Sequence, residues 1–345
     1  MSSDTIRVGV VGAGTNTVGK HIPELQAMDG VEVVSVCNRS RESSERVAQQ
    51  FGIPTAYDYW TELIEAEDSD AIVIGTWPYM HCTLVLASLA AGKHVMTEAR
   101  MAMNAEEAYI MRSVAQEHPE LIAQIVPSPM TLWADKTIQR HIANGYLGDI
   151  LSVDIHASGD AFIDKDGPMH WRQDYDLSGL NIMGVGIWYE AMIRWVGEAV
   201  SVTAQGKTFV KMRHDPSTNH MKVSRVPEHI DIIMDLACGA QGYMKMSAVQ
   251  GFCGDNDASI YGSEGTLRVS GHKLYGARRG DTALQEIEIP DTERCGWRVE
   301  EEFIGAIRGE EPITHTTFDN GVKYMEFTEA VNRSMAERKT ITIPV

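Results

Sequence analysis

The sequence predicts an α/β chain: a doubly wound parallel sheet at the N-terminus, followed by an α+β unit with a run of antiparallel strands. Three observations predict it. Residues 6–41, IRVGVVGAGTNTVGKHIPELQAMDGVEVVSVCNRSR, read as a strand, a glycine turn, a helix and a second strand. Short apolar strands then alternate with helical segments as far as residue 125, the pattern of successive βαβ units. Beyond Pro127-Ser128-Pro129, a plausible joint between domains, consecutive strands take over.

The elements follow in order. The first strand covers 8–11, and Gly12 and Gly14 let the backbone turn tightly off it. Amides at the following helix N-terminus then meet a pyrophosphate, favoured by the helix dipole. The spacing is Gly12-x-Gly14-x-x-x-x-Gly19 instead of G-x-G-x-x-G, so Thr15, Asn16 and Thr17 make a longer cradle. Further strands are expected at 31–36, 71–75, 94–96 and 121–126, and helices at 20–28, 41–51, 59–66, 81–91 and 104–117. After the joint, 131–144 reads as a helix ending at Gly145, 150–157 as a strand, 158–179 as irregular and 181–196 as an apolar helix. Strands follow at 200–208, 230–236, 241–249, 259–262, 266–269 and 286–289, then helices at 298–307 and 320–337 and a closing strand at 340–343.

The second strand ends in Asn38-Arg39-Ser40-Arg41, where a carboxylate would bind the ribose 2′-hydroxyl of NAD. Two guanidiniums and a hydroxyl there suit a 2′-phosphate instead, because Arg is a planar multi-donor cation. NADP is the expected cofactor, with NAD possible.

The chain has 345 residues, 43% of them hydrophobic, enough for two domains. A net charge of −18 argues against nucleic acid and anionic membranes as partners. The five cysteines are scattered without C-x-x-C spacing, which fits a reducing cytoplasmic location and no metal site. Polar residues 1–7 run straight into the first strand, so no secretory leader is read, and no apolar run approaches the roughly 18–20 residues of a membrane span.

Four stretches together resemble the glucose-fructose oxidoreductase / inositol dehydrogenase / MocA (Gfo/Idh/MocA) family: the glycine turn with Lys20-His21-Ile22-Pro23; Thr76-Trp77-Pro78-Tyr79-Met80-His81; Gly92-Lys93-His94-Val95-Met96-Thr97-Glu98; and Gly262-Ser263-Glu264-Gly265-Thr266-Leu267. The resemblance implies a Rossmann domain at 1–126. It implies a substrate and oligomerisation domain with a large open antiparallel sheet at 127–345, whose last helix packs back on the first domain. It further implies a nicotinamide cofactor, a sugar, polyol or related small molecule as substrate, and a homodimer or homotetramer. Thr76, Trp77, Pro78, His81, Glu98, Trp171 and Arg172 match positions on the cofactor side.

The same resemblance exposes three departures. Where the family has Lys and Pro after its Glu, this chain has Ala99 and Arg100; where it has Asp and His on the substrate-facing helix, it has Gly184 and Trp188. Hydride transfer at a carbon bearing oxygen needs a partner for the hydroxyl proton, so another group must serve. His170 is the first candidate by its natural pKa and its loop position. Tyr189 is the second. Arg100 is expected to bind an anionic group or stabilise an oxyanion. Trp188 shares a helix face with position 184 and is expected to stack on substrate, whereas Glu190 points away and reads as structural. The expected function is an NAD(P)-dependent oxidoreductase, NADP preferred, with a non-standard proton relay. The alternatives are a lyase, hydrolase or isomerase holding a tightly bound nicotinamide cofactor, or a catalytically silent nucleotide-binding sensor.

Overall fold

The computed structural model describes residues 5–344, divided into two compact units. The first comprises residues up to Pro127 together with Arg298–Val322. Its sheet is built from β1 (Ile6–Val11), β2 (Val31–Cys37), β3 (Thr55–Ala56), β4 (Ala71–Ile74), β5 (His94–Thr97) and β6 (Ala123–Ile125). All are parallel, in the order β3-β2-β1-β4-β5-β6. The central strands are apolar on both faces because helices cover both; Val8, Val10, Ile72 and Ile74 are fully buried. The order reverses between β1 and β4, the point where doubly wound sheets bind ligands beyond their carboxyl ends.

Between the strands run α1 (Ile22–Gln26), α2 (Arg41–Phe51), α3 (Trp60–Glu65), α4 (Pro78–Ala90) and α5 (Ala105–Glu117). Their ends follow from the sequence. The Ser40 hydroxyl accepts from the Ser43 amide at the start of α2, Gly52 ends that helix at φ 67°, and the Asn104 side chain caps α5. The helix after the glycine turn is irregular. Pro23 has no N–H for the carbonyl of Gly19, and the turn Thr17–His21 widens into a π-helix in which the Ile22 amide bonds the Thr17 carbonyl.

The alternation of strands and helices did not reveal β3, which is only two residues long, or the return of the chain to this unit near its end. That return is held by specific bonds: the Ile125 amide donates to the Thr316 carbonyl at 3.0 Å, and Gln124 Nε2 to Glu302 Oε2 at 3.3 Å.

The second unit comprises Ser128–Trp297 and Lys323–Val345. It contains α6 (Asp135–Ala143), β7 (Ile150–Ser158), α7 (Tyr175–Ser178), α8 (Val185–Val196), β8 (Ala199–Lys207), β9 (Met212–Asp215), β10 (His220–Val223), β11 (His229–Leu236), β12 (Gln241–Ser247), β13 (Asp257–Gly262), β14 (Gly265–Ser270), β15 (Lys273–Arg278), β16 (Gln285–Ile287) and β17 (Ile341–Thr342). Nine of these strands form one sheet, β16-β15-β14-β13-β7-β12-β11-β8-β17, while β9 and β10 form a separate hairpin. The sheet is mixed, because β7 and β12 pair in parallel where antiparallel pairing alone was expected. β9, β10 and β15 were also missed, their residues being too polar or too rich in glycine to show a hydrophobic period.

One face of this sheet carries the core: Val153, Ile155, Ile230, Ile232, Met244 and Ile260 are all buried. The other face is polar and bonded across strands, with Tyr243 donating to Asp231 at 2.5 Å, Ser201 to Asp235 at 2.7 Å and Arg268 paired with Asp257 at 3.2 Å. An antiparallel arrangement tolerates such a face in water.

Tyr189 stacks on Phe327 with 3.7 Å between ring centroids and 1° between planes, both rings buried. Truncating Phe327→Ala is expected to cost about 3–5 kcal/mol of stability, read from urea unfolding, since it leaves an aromatic-sized cavity.

Candidate functional site

In the first unit a cavity of about 650 Å³ lies beyond the carboxyl ends of β1, β2 and β4, bordered by Gly12, Gly14, Asn38, Arg39, Thr76 and Trp77 among others. Its floor is the glycine turn. Gly12 sits at φ 86°, and a Cβ there would lie 2.6 Å from Thr76 Cγ2, so only glycine fits. Gly75, unremarked in the sequence, is tighter still: its Cβ would lie 2.0 Å from Thr17 Oγ1 and 2.2 Å from the Gly12 carbonyl oxygen. A Cβ on Gly14 would meet only the Gly75 carbonyl oxygen, at 3.5 Å, which leaves the cradle open to a ligand. The residues thus fit a dinucleotide: close backbone approach, helix N-terminal amides and a crevice at the switch point.

The predicted cofactor residues divide into those facing this cavity and those that build it. Arg39 faces it, its guanidinium 4.7 Å from the centroid of the Trp77 ring, and Ser40, Ser43, Asp58 and Tyr59 share the lining. Asn38 mainly secures the turn: its Oδ1 accepts from the Ala13 amide at 2.7 Å, and its Nδ2 donates to Ser43. Arg41 is corrected. It lies one residue inside α2, bonds Glu45 at 2.7 Å, approaches Asp58 at 3.6 Å and does not line the cavity. The two arginines, either side of Ser40, diverge because the Ser40 cap turns the chain between them.

Thr15 is exposed outside the lining. Thr17 is buried with its hydroxyl on the Gly12 carbonyl, so it braces the turn and does not reach the cavity. Pro78 is the first residue of α4 and is buried. His81 is also corrected. It is fully buried, its Nε2 3.0 Å from the Thr76 carbonyl and its Nδ1 2.9 Å from that of Arg100, a strut between two loops. Burial holds its pKa below the ordinary value despite those carbonyls. Arg100 itself is 3% exposed.

Glu98 follows β5 and stands beside the glycine turn, joined to Asn16 Nδ2 and accepting from the Ala99 amide at 3.0 Å. His21 Nε2 lies 3.0 Å from the same carboxylate, and His21 Nδ1 bonds Glu300 on the helix Val299–Ile307. Sequence reasoning missed this chain. Its one signal was Pro23, which opens the π-turn that ends in His21. Burial pushes the His21 pKa down, but its bonds to Glu300 and Glu98 raise it on balance to about 9. Burial pushes Glu98 up, but the bonds from His21 and Asn16 and the His21 charge bring it below the ordinary value.

The second unit has its own cavity, about 350 Å³, bordered by His170, Arg172, Gln173, Gly184, Trp188 and Met246 among others. Gly184 and Trp188 face it together; a Cβ on Gly184 would come within 3.4 Å of Trp188 Cδ1. Trp188 is 5% exposed, and its exposed edge belongs to this cavity. Arg172 lies 4.2 Å over the Trp171 ring, and only the Arg reaches the lining. His170 caps the short helix Trp171–Gln173: its Nδ1 accepts from the Arg172 amide at 3.2 Å, and its own amide donates to Gln173 Oε1 at 3.0 Å. That cap leaves the ring proton on Nε2. Burial and the Arg172 cation lower the His170 pKa.

Tyr189 is corrected as a proton carrier. It is 1% exposed, and its hydroxyl accepts from the Ala199 amide at 2.9 Å, which fixes it in the core. Glu190 accepts from the Ser128 amide and from Arg194 at 2.9 Å, a structural pair. Among the described residues no cluster of three or more His, Cys, Asp or Glu side chains is arranged to hold a metal, and no helix is long and apolar enough to cross a membrane.

These features define a dinucleotide-binding α/β domain coupled in sequence to a mixed-sheet domain. Family profiles match both: the Gfo/Idh/MocA oxidoreductase family's NAD-binding Rossmann fold over residues 6–124, and the GFO/IDH/MocA C-terminal domain over residues 136–268. The chain belongs to the Gfo/Idh/MocA family of oxidoreductases. It is 25% identical over 298 residues to mouse glucose-fructose oxidoreductase domain-containing protein 1, covering 82% of this chain and 72% of that one. It is 26% identical over 218 residues to the glucose-6-phosphate 3-dehydrogenase of Bacillus subtilis, covering 61% of this chain and 60% of that one. In fold it is similar to a levoglucosan dehydrogenase solved with NADH and L-sorbose, with a TM-score of 0.85 at 19% identity over 98% of this chain and 99% of that one.

The raised pKa of His21 gives a testable sign. Its folded value of about 9 exceeds the ordinary value of 6.5, so its contribution to stability is full below 6.5 and is lost as pH rises through 9. Thermal melts from pH 6 to pH 10 are expected to show a stability loss in the native protein that is smaller in His21→Gln.

Proposed function

We propose that this protein is an NADP-preferring dehydrogenase of a sugar, polyol or related small molecule, with His170 at the reacting oxygen in place of the family's usual groups. The observation that carries this reading is the 350 Å³ cavity, where His170 and Trp188 meet beside the alanine-sized gap left by Gly184. Cavities of about 300–1,000 Å³ suit small-molecule ligands. The names of the relatives support the substrate class: glucose-6-phosphate 3-dehydrogenase and levoglucosan dehydrogenase both act on sugars.

The nicotinamide cofactor, when bound, supplies the hydride chemistry. This chain's residues bind and orient. The glycine turn and the first-turn amides would hold the pyrophosphate, and Trp77 and Arg39 would flank the adenosine end. Trp188 offers a ring face to the apolar side of a sugar. His170, neutral at physiological pH, donates its Nε2–H to the substrate oxygen; a neutral imidazole polarises a carbonyl in this way. In the oxidising direction Nε2 takes the hydroxyl proton only in the other tautomer, with the ring's own proton on Nδ1, and this requires release of the Arg172 amide.

The NADP preference rests on Arg39, with the Ser40 and Ser43 hydroxyls beside it and Asp58 offset by Arg41. Arg39→Ala is expected to weaken NADP binding by about 1.5–3 kcal/mol in calorimetry while leaving NAD nearly unchanged. Arg41→Ala is expected to have a smaller effect. Equal or tighter binding of NAD by the native protein rules the preference out.

Removing a general acid–base or polarising group typically costs about 10²–10⁴-fold in rate, so His170→Ala is expected to lower kcat on the true substrate by that factor at unchanged cofactor affinity. A screen of polyols and sugars, followed at the nicotinamide absorbance, identifies that substrate; full activity in the variant removes His170 from the mechanism.

We also assign a homodimer or homotetramer built on the polar face of the nine-stranded sheet. Ile233, Tyr243 and Tyr261 stand on that face among paired charges, and Tyr with satisfied polar neighbours is the composition of an interface. Light scattering at micromolar concentration is expected to give twice or four times the chain mass of 38.2 kDa, and a monomer mass excludes it.

A further inference from the structure

The chain Glu300–His21–Glu98–Asn16 has no part in the binding of the adenosine end. Its placement in the first unit gives it another task. The 650 Å³ cavity is bordered by residues that follow β2, β1 and β4, and this is the side that takes the adenosine half. Glu98 follows β5, on the far side of β4 in the strand order, yet it touches Asn16 two residues beyond Gly14. A dinucleotide whose pyrophosphate lies on the glycine turn has its nicotinamide half directed toward β5. Glu98 keeps 15% of its side chain exposed there, while His21 and Glu300 behind it have none.

His21 has two ring nitrogens and places each against a carboxylate, one on Glu98 and one on Glu300. Both contacts are donor bonds only when the ring carries both protons. The π-turn sets this geometry by rotating the last residue before α1 inward, and the helix Val299–Ile307 brings Glu300 to meet it. Asn16 Nδ2 donates to the same Glu98 carboxylate, so the glycine turn is tied into the group.

We propose that His21 is a positioning residue of the cofactor site: anchored by Glu300, it orients Glu98 as a carboxylate on the nicotinamide side and thereby biases the protein toward the oxidised cofactor. The oxidised nicotinamide ring is a cation and the reduced ring is neutral, so an oriented carboxylate discriminates between them. This rests on the dinucleotide reading above and adds to it a preference between redox forms, and it extends the roles of His21 and Glu300 beyond stability.

The test measures the dissociation constants of NADP⁺ and NADPH for the native protein, Glu98→Gln, His21→Gln and the double variant. Glu98→Gln is expected to weaken NADP⁺ about tenfold and to leave NADPH within about twofold. His21→Gln is expected to act on the same form by a similar factor, and the double variant to be no weaker than Glu98→Gln alone. Glu300→Gln, which preserves shape, is expected to move NADP⁺ affinity in the same direction by less, and it serves if His21→Gln does not fold. Nitrogen-15 spectra of the native protein at neutral pH are expected to show the His21 ring protonated on both nitrogens. A His21→Gln effect equal on both redox forms, or fully additive with Glu98→Gln, overturns the proposal and leaves the dinucleotide reading standing. A native protein that binds neither form overturns both.

Discussion

The contact on which the rest of the first unit depends is the passage of the glycine turn across the end of β4. Thr17 and the Gly12 carbonyl press so closely on Gly75 that no side chain fits between them. This crossing brings the turn to the sheet's switch point, and neighbouring features are arranged around it. Asn38 clamps the turn from the β2 side through the Ala13 amide, and Asn16 meets Glu98 on the β5 side. The cavity, the Arg39–Trp77 stack and the buried His21 chain are consequences of how closely two backbones approach.

Charge within this unit is handled by enclosure. Burying ions is costly unless they are paired and hydrogen-bonded, and His21 meets that condition by having a carboxylate on each nitrogen. Lys93 solves the same problem differently, donating to the Ala66 carbonyl and the Ser69 hydroxyl, with burial lowering its pKa. An acidic chain of net charge −18 therefore keeps selected cations inside its first unit. Arg39, by contrast, is held at a cavity wall by an aromatic face, which leaves its donors available to a ligand.

In the second unit Gly184 precedes the helix Val185–Val196, and Trp188 lies on its first turns. Gly184 and Trp188 shape a wall, and the neighbouring loop supplies His170 in a fixed tautomer. A residue that caps a helix through one nitrogen is oriented by that cap. The cap that makes His170 a defined hydrogen-bond donor also makes it a reluctant base.

The sequence by itself determined the fold class and the glycine turn, because these are local facts of period, steric freedom and residue type. It also determined that an arginine-rich segment follows β2. Which arginine serves the cavity was decided only in three dimensions, since the Ser40 cap sends Arg39 and Arg41 to different neighbours. Tyr189 read as a candidate proton carrier until packing placed it on Phe327, and His81 as a cofactor contact until two carbonyls enclosed it. The pairing of His21 with Glu300 spans 279 positions of the chain, a separation at which no periodicity or motif carries information, so only the tertiary structure decided it.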